Sequence, residues 1–585
     1  MKKISVLLLV FSAVFSGCHP NEAPAGSASQ DSVFRKTSEE FIAGYLDWRP
    51  QDAVNLGFHK YDGKMTDLSK SSIDEELSRL RKYDQQLSSL DSSRLSPENY
   101  FHLRILRNGI KNEIFGIADL QKFTRNPIVY AQLIDANMYI KRNFAPLEQR
   151  VGFIIAMENQ APKIFENARA NLADSLAKPY VELAIQVARG SSSFLGNDLL
   201  VALKDVKNDS LMNAFRSANK IAIAAIDSFA AYLEKEKLPK SHNRYAIGRE
   251  NYMKMLLYSE NIQISPDEIL AIGMKELKLQ QDLFNAAAHI INPGKKPVEV
   301  YDDIQKEHPT AADLIPSAKK NMESIRQYLV DKQIVSLPSE VRVTIAETPP
   351  YARETSTASM DTPGPFETGA TESYYYITPV NPKWTKTQQE DWLKTFNFYT
   401  TDVVTIHEVY PGHYTQFLHL KASPTTPVEK IFSSYAFVEG WAHYCEKMML
   451  DEGFGNQGDS VKAAKYKLAQ AGDALLRVCR LCVSVKTHTQ NMSLDDATKF
   501  FMDNWYQGEK PSRQEALRGT FDPGYLFYTV GKLEILKLRE DYRQQEGAGY
   551  SLKKFHDQIL NHGMPPIQYL RELLLKDTSS WNKIL

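Results

Sequence analysis

The chain has 585 residues, 43% of them hydrophobic and 24% charged, proportions of a folded globular protein that exclude a disordered tail, a coiled-coil rod and a collagen-like polymer. Seventy Lys and Arg stand against seventy-one Asp and Glu, a formal charge of −1, and with no basic stripe the electrostatic footprint of a nucleic-acid binder is missing. At ~100–200 residues per domain the length allows several domains or one continuous helical body.

Lys2 and Lys3 precede an apolar run over residues 4–15 that is too short to span a bilayer, the pattern of a signal peptide occupying residues 1–17. Phe15-Ser16-Gly17-Cys18 resembles the lipobox of bacterial lipoproteins, with Phe15 where leucine is more usual. The resemblance implies cleavage before Cys18, acylation of that cysteine, and a chain anchored by lipid to the bacterial cell envelope, on the outer membrane or a periplasmic face. Losing Lys2 and Lys3 takes the net charge from −1 to −3. No later stretch reaches the ~18 uninterrupted apolar residues of a membrane helix. Residues 18–32, rich in Ala, Ser, Gly and Pro, read as a tether.

Residues 33–291 carry helical signals. Ser96-Pro97-Glu98 and Ser265-Pro266-Asp267-Glu268 each place serine at an N-cap and proline at the first helical position, and Glu268 completes a capping box. Residues 211–233 repeat apolar side chains at helical spacing. From 292 to the end lies the region that holds the chemistry, continuous with the preceding helices. Residues 340–347 alternate Val341, Val343 and Ile345 with polar neighbours, and residues 373–378 are rich in tyrosine, so both are predicted strands. Between them, residues 348–371 hold four prolines and two glycines and read as a long loop of the kind usually kept for function. From Gln388 onward the pattern is helical again. The fold class is mainly α with a small sheet just ahead of a histidine-rich region.

Cys479 and Cys482 have the spacing of a redox or zinc motif, but they sit inside an apolar helical run with no second pair, and read as core cysteines. With Cys18 acylated, Cys445 is the one further cysteine, so the chain is no disulfide scaffold.

Five of the thirteen histidines, His407, His413, His419, His443 and His488, fall between 407 and 488. The same region contains His407-Glu408-Val409-Tyr410-Pro411-Gly412-His413 and Glu439-Gly440-Trp441-Ala442-His443-Tyr444-Cys445-Glu446. Zinc hydrolases set two histidines on one helix face with a glutamate beside the first as general base, and take a third protein ligand from another helix. The residue types match; the spacing does not. Ligands four apart lie about 40° from one another around a helix, whereas ligands six apart lie about 120° off a common face. Pro411 removes a donor and clashes with the carbonyl of residue 407, and Gly412 tolerates unusual backbone, so a bulge or kink is expected to absorb the two extra residues. The competing reading makes His407 and Glu408 polar surface groups and His413 a core histidine, and predicts no relation to Glu439.

The two segments resemble the His-Glu-x-x-Pro-Gly-His and Glu-Gly-Trp-Ala-x-Tyr motifs of the bacterial domain of unknown function 885 family, itself similar to gluzincin-type zinc metallopeptidases. Pro50, Ala53-Val54-Asn55-Leu56-Gly57, His59 and Tyr61-Asp62 resemble the family's opening pattern, and Pro523-Gly524-Tyr525, Tyr528, Gly531, Leu536 and Leu538-Arg539 its closing one. The resemblance covers nearly all of the mature chain. It implies a large helical zincin-like metallopeptidase fold, zinc held by His407, His413 and Glu439, Glu408 as the base that activates water, and a peptide substrate. Two departures stand out. His443 occupies a place where the family usually has an apolar residue, either supporting the ligands from behind or adding to them. Ser484 and Lys486 replace an expected Asp and Gly, while His488 matches, as an active-site residue or a buried structural one.

The Tyr374–Ile377 strand would offer an open edge for an extended peptide, or serve as core. Tyr528, or Tyr525 on the same helical face, would donate a hydrogen bond to the oxyanion of amide hydrolysis. The reading is a zinc-dependent metallopeptidase. Its alternatives are a binding lipoprotein on the same fold that lacks catalysis, and a zinc hydrolase of another amide.

Overall fold

The computed structural model describes residues 29–349, 353 and 356–585, so the signal peptide and Cys18 lie outside the described residues. The protein is 70% helix with a small three-stranded sheet. The first helix, Gln30–Trp48, is capped by the Ser29 side chain and so begins inside the segment read as tether. Both predicted serine caps form. Ser96 Oγ accepts from the Asn99 N–H, and Ser265 exchanges bonds with Glu268 in a full capping box. The helix Asp209–Tyr232 buries Met212, Phe215, Ala222, Ile226 and Phe229 along one face, the 3.6-residue period being satisfied by packing rather than by propensity alone.

Two long helices, Pro266–Ile291 and Ser460–Gln490, run against each other so closely that a Cβ on Gly273 would lie 2.2 Å from the Leu481 side chain and 3.2 Å from Cys482 Sγ. Cys445, Cys479 and Cys482 are all free and buried, as core residues. One hydrophobic cluster draws side chains from Phe34 to Ile584, and a smaller one gathers around Leu277, Phe284, Leu475 and Phe501.

The sheet corrects two expectations. Strand β1 (Thr344–Glu347) and strand β3 (Tyr374–Ile377) fall within the predicted segments, but strand β2 (Ala358–Asp361) lies inside the stretch read as loop. Its sequence, Ala-Ser-Met-Asp, alternates for only four residues and has no β-branched or aromatic side chain; pairing with β3 supplies what residue type does not. The order is β1-β3-β2, with β1 parallel to β3 (Thr344 opposite Tyr374) and β2 antiparallel (Ala358 opposite Ile377). β3 is therefore the central strand and has no open edge; the free edges belong to β1 and β2. Tyr375 on β3 is buried and its hydroxyl bonds to Thr405, seating the sheet on the helix that carries His407.

The opening motif fastens the segment between β2 and β3. Phe366 N–H donates to the Leu56 carbonyl, His59 Nε2 lies 2.7 Å from Glu367 Oε2, and the His59 ring stacks on Phe144 at 3.7 Å.

Candidate metal centre

The helix Phe398–Glu408 stops immediately after His407 and Glu408, and a new helix, His413–Ala422, starts at the second histidine. The expected kink within one helix is thus a complete break. It spans Val409 to Gly412 and includes a cis Tyr410-Pro411 bond. Gly412 folds back so tightly that its N–H donates to the Ile406 carbonyl, and a Cβ there would sit 1.7 Å from the His407 carbonyl oxygen; only glycine fits. Trp441 Nε1 donates to the Pro411 carbonyl at 2.9 Å, pinning the break from the helix Tyr435–Asp451.

That helix is positioned by a second close approach. A Cβ on Gly440 would lie 2.5 Å from the Gly531 backbone, and one on Gly531 1.9 Å from the Ala436 carbonyl oxygen, so Tyr435–Asp451 and Phe527–Glu546 cross with backbones nearly touching. Glu439, beside this crossing, is thereby aimed at the two histidines.

His407, His413 and Glu439 each direct one ligand atom to a common point, all within 4.8 Å of one another. Glu439 Oε2 lies 3.5 Å from His407 Nε2 and 3.4 Å from His413 Nε2. Tetrahedral ligand atoms at about 2.0–2.1 Å from a zinc ion are separated by about 3.3–3.4 Å. Glu439 Oε2 is buried and makes no well-formed hydrogen bond among the described residues, only these ion-pair contacts with the two imidazoles, which a cation between the three would replace. Burial opposes charge on His407, but Glu439 and Glu446 at its two ring nitrogens raise its pKa to about 9. Burial likewise disfavours the Glu439 carboxylate, and the two imidazoles overcome it and hold the group well below the usual range. The residues fit a zinc ion.

Behind His407 stands Glu446, a fully buried carboxylate that the sequence reading did not single out. Its Oε1 lies 2.8 Å from His407 Nδ1, its Oε2 3.1 Å from His443 Nδ1, and Arg477 Nη2 is 3.2 Å from it. Such a partner fixes the tautomer and ring orientation of a metal-bound histidine. His443 settles as a neighbour of Glu446, not a member of the cluster, and burial drives its pKa down to about 3. The signal for Glu446 was present: it follows Glu439 by seven residues, two turns on one face. Arg477 arrives from the Ser460–Gln490 helix with no local signal.

Glu408 is half-buried and makes no hydrogen bond or ion pair among the described residues, leaving its carboxylate available beside the cluster. The Tyr528 ring packs 5.8 Å from Tyr435 beneath Arg480 and Arg518, whose guanidinium carbons lie 5.1 and 5.8 Å from it. Burial and the charge of Glu439 raise its pKa. Tyr525 is turned into the core, its buried hydroxyl without a hydrogen-bond partner among the described residues. His488 is not brought to the cluster. Its Nε2 donates to the Gly519 carbonyl and its Nδ1 accepts from Ile247 N–H, burial lowers its pKa to about 4, and eleven residues of helix, about 16 Å, separate it from Arg477. His419 also turns away, to Asn561 and the Ser336 carbonyl. Ser484 bridges the Tyr252 hydroxyl and the Pro523 carbonyl, a structural tie.

Two solved structures share this fold. One, named a lipoprotein of unknown function from Shewanella oneidensis, is 24% identical, with a TM-score of 0.77 over 93% of this chain and 100% of that one. The other, named a lipoprotein from Colwellia psychrerythraea, is 16% identical, with a TM-score of 0.78 over 95% and 99%. At these identities the likeness is one of fold. No curated protein matches the chain in sequence. Residues 50–574 match the model of a family described as bacterial proteins of unknown function, DUF885, and the chain belongs to that family.

Proposed function

We propose that the protein is a zinc-dependent metallopeptidase on a zincin-like fold, held by lipid at Cys18 in the bacterial cell envelope and hydrolysing peptide bonds there. The observation that carries this reading is the convergence of His407 Nε2, His413 Nε2 and the buried Glu439 Oε2, next to Glu408, which has no partner among the described residues. Zinc at such a trio supplies the Lewis acidity that activates water and polarises an amide carbonyl. Glu408 takes the proton that water loses and returns it to the departing amine. Tyr528, on the side of Glu439, donates to the oxyanion. Glu446 holds the Nδ1 proton of His407, which would leave the Nε2 lone pair to hold the zinc ion. The lipobox-like segment at Cys18, together with the lipoprotein names of both structural neighbours, supports the envelope location.

The test is metal analysis of the purified protein after gel filtration, combined with cleavage of a mixed peptide library read by mass spectrometry with and without chelator. About one zinc per chain and chelator-sensitive cleavage are expected. His407→Ala and Glu439→Ala should each lose the metal while staying helical, because a core of this size folds without it. Full zinc occupancy in both variants would sink the ligand assignment, and bound zinc without cleavage would leave a binding protein.

A further inference from the structure

The helix His413–Ala422 carries its apolar side chains on from His413 towards one end of the sheet. There a cavity of about 330 Å³ is lined by Tyr414, Phe417 and Leu418 from the helix and by Val341 and Pro363 from the segments that flank β1 and β2. Because β1 and β3 run parallel and β2 antiparallel, the chain entering β1 and the chain leaving β2 meet at the same end of the sheet. The lining is mostly hydrocarbon, and the volume is at the small end of ligand pockets, room for a side chain rather than a cofactor.

Phe417 follows His413 by one helical turn, and the two rings lie 6.3 Å apart. Phe417 is half-buried and belongs both to the lining of the cavity and to the surroundings of His413. Lys421, one turn further on, also lines the cavity, is half-buried, and has no carboxylate within ion-pair distance among the described residues.

We propose that this cavity is the specificity pocket of the metal centre, admitting an apolar side chain of the residue beside the cleaved bond and turning away basic ones; this rests on the peptidase reading above. Consecutive Cα atoms of an extended peptide are about 3.8 Å apart, and side chains one turn apart on a helix are about 5–6 Å apart. With its carbonyl at the cluster, an extended peptide thus has the reach to set the adjacent side chain at Phe417, on the wall of the cavity. Desolvating a leucine, methionine or phenylalanine side chain there is favourable. A lysine or arginine would lose hydration and meet the Lys421 ammonium, repulsion that discriminates against it.

The experiment uses the zinc-loaded mature protein, wild type, Leu418→Trp and Lys421→Glu, on the mixed peptide library and on matched leucine, alanine and arginine peptides. Wild-type cleavage sites should carry an apolar residue on one fixed side of the bond and lack basic residues there. Leu418→Trp should lower the leucine-to-alanine ratio of kcat/KM about tenfold or more, and Lys421→Glu should raise the arginine-to-leucine ratio. Ratios are indifferent to the fraction of protein that folds. Calorimetry of the same peptides on Glu408→Gln protein should give the same order of affinities. If wild type cleaves peptides without an apolar preference, or if neither ratio moves, the pocket assignment is overturned while the peptidase reading stands. If no peptide is cleaved, both fall.

Discussion

Glu446 and His407 are 39 residues apart in the chain and 2.8 Å apart in space, carboxylate oxygen to Nδ1. The contact is fully buried at Glu446, and Arg477 balances the carboxylate from the other side. Replacing Glu446 by Gln keeps an acceptor for the Nδ1 proton but removes the charge that makes Nε2 a strong donor. Zinc affinity should fall about 10–100-fold, measured by competition with a chelating dye. Unchanged affinity would remove Glu446 from the ligand support.

Glu408→Gln should keep zinc and lose hydrolysis by about 10²–10⁴-fold, because an amide retains the shape and cannot accept the proton from water. Turnover at the wild-type level in a zinc-loaded variant would contradict the mechanism.

The two tyrosines near the closing motif part company. Tyr528→Phe should slow catalysis by about 10²–10³-fold with zinc retained, the usual loss for one oxyanion donor. Tyr525→Phe should leave catalysis alone and leave stability level or slightly higher, since its buried hydroxyl has no partner to lose. Equal rates for both variants and wild type would move the oxyanion donor elsewhere.

Far from the cluster, Glu158 is fully buried, accepts one bond from Asn219 and leaves its other oxygen unpaired. Burial raises its pKa from 4.5 to about 8. Below about pH 4.5 both folded and unfolded chains hold the proton; above it the unfolded chain releases first, so stability falls by up to about 1.4 kcal/mol per pH unit until the folded group ionises near pH 8. Glu158→Gln abolishes that slope. Its melting temperature relative to wild type should rise steadily from pH 5 to pH 8, and a constant difference in thermal unfolding would refute the assignment.

Cys18→Ala should leave the protein in the aqueous fraction, because stable attachment needs acyl chains on that cysteine. Recovery of the variant in the membrane pellet would refute the anchor.

The sequence alone determined the helical character and the serine caps, because these depend on local period and on backbone donors within one turn; the trio His407, His413 and Glu439 was legible through the resemblance of its two motifs to those of a family. His407-Glu408 and Pro411-Gly412-His413 announced a distorted helix, since proline and glycine act on the backbone wherever they stand. Only the tertiary structure decided that the distortion is a full break, held by Trp441 against Pro411, and that β3 is a central strand. Ala358–Asp361 has no β-branched or aromatic residue and becomes a strand by pairing with Tyr374–Ile377. The same holds for support of the site. Arg477 reaches Glu446 from a different helix, and the Gly440–Gly531 crossing that aims Glu439 depends on two backbones meeting, a relation that no periodicity in either helix encodes. His488 matched a motif and lay on the expected helix, but the length of that helix carries it about 16 Å beyond Arg477, a distance fixed only once the helix is packed against the cluster.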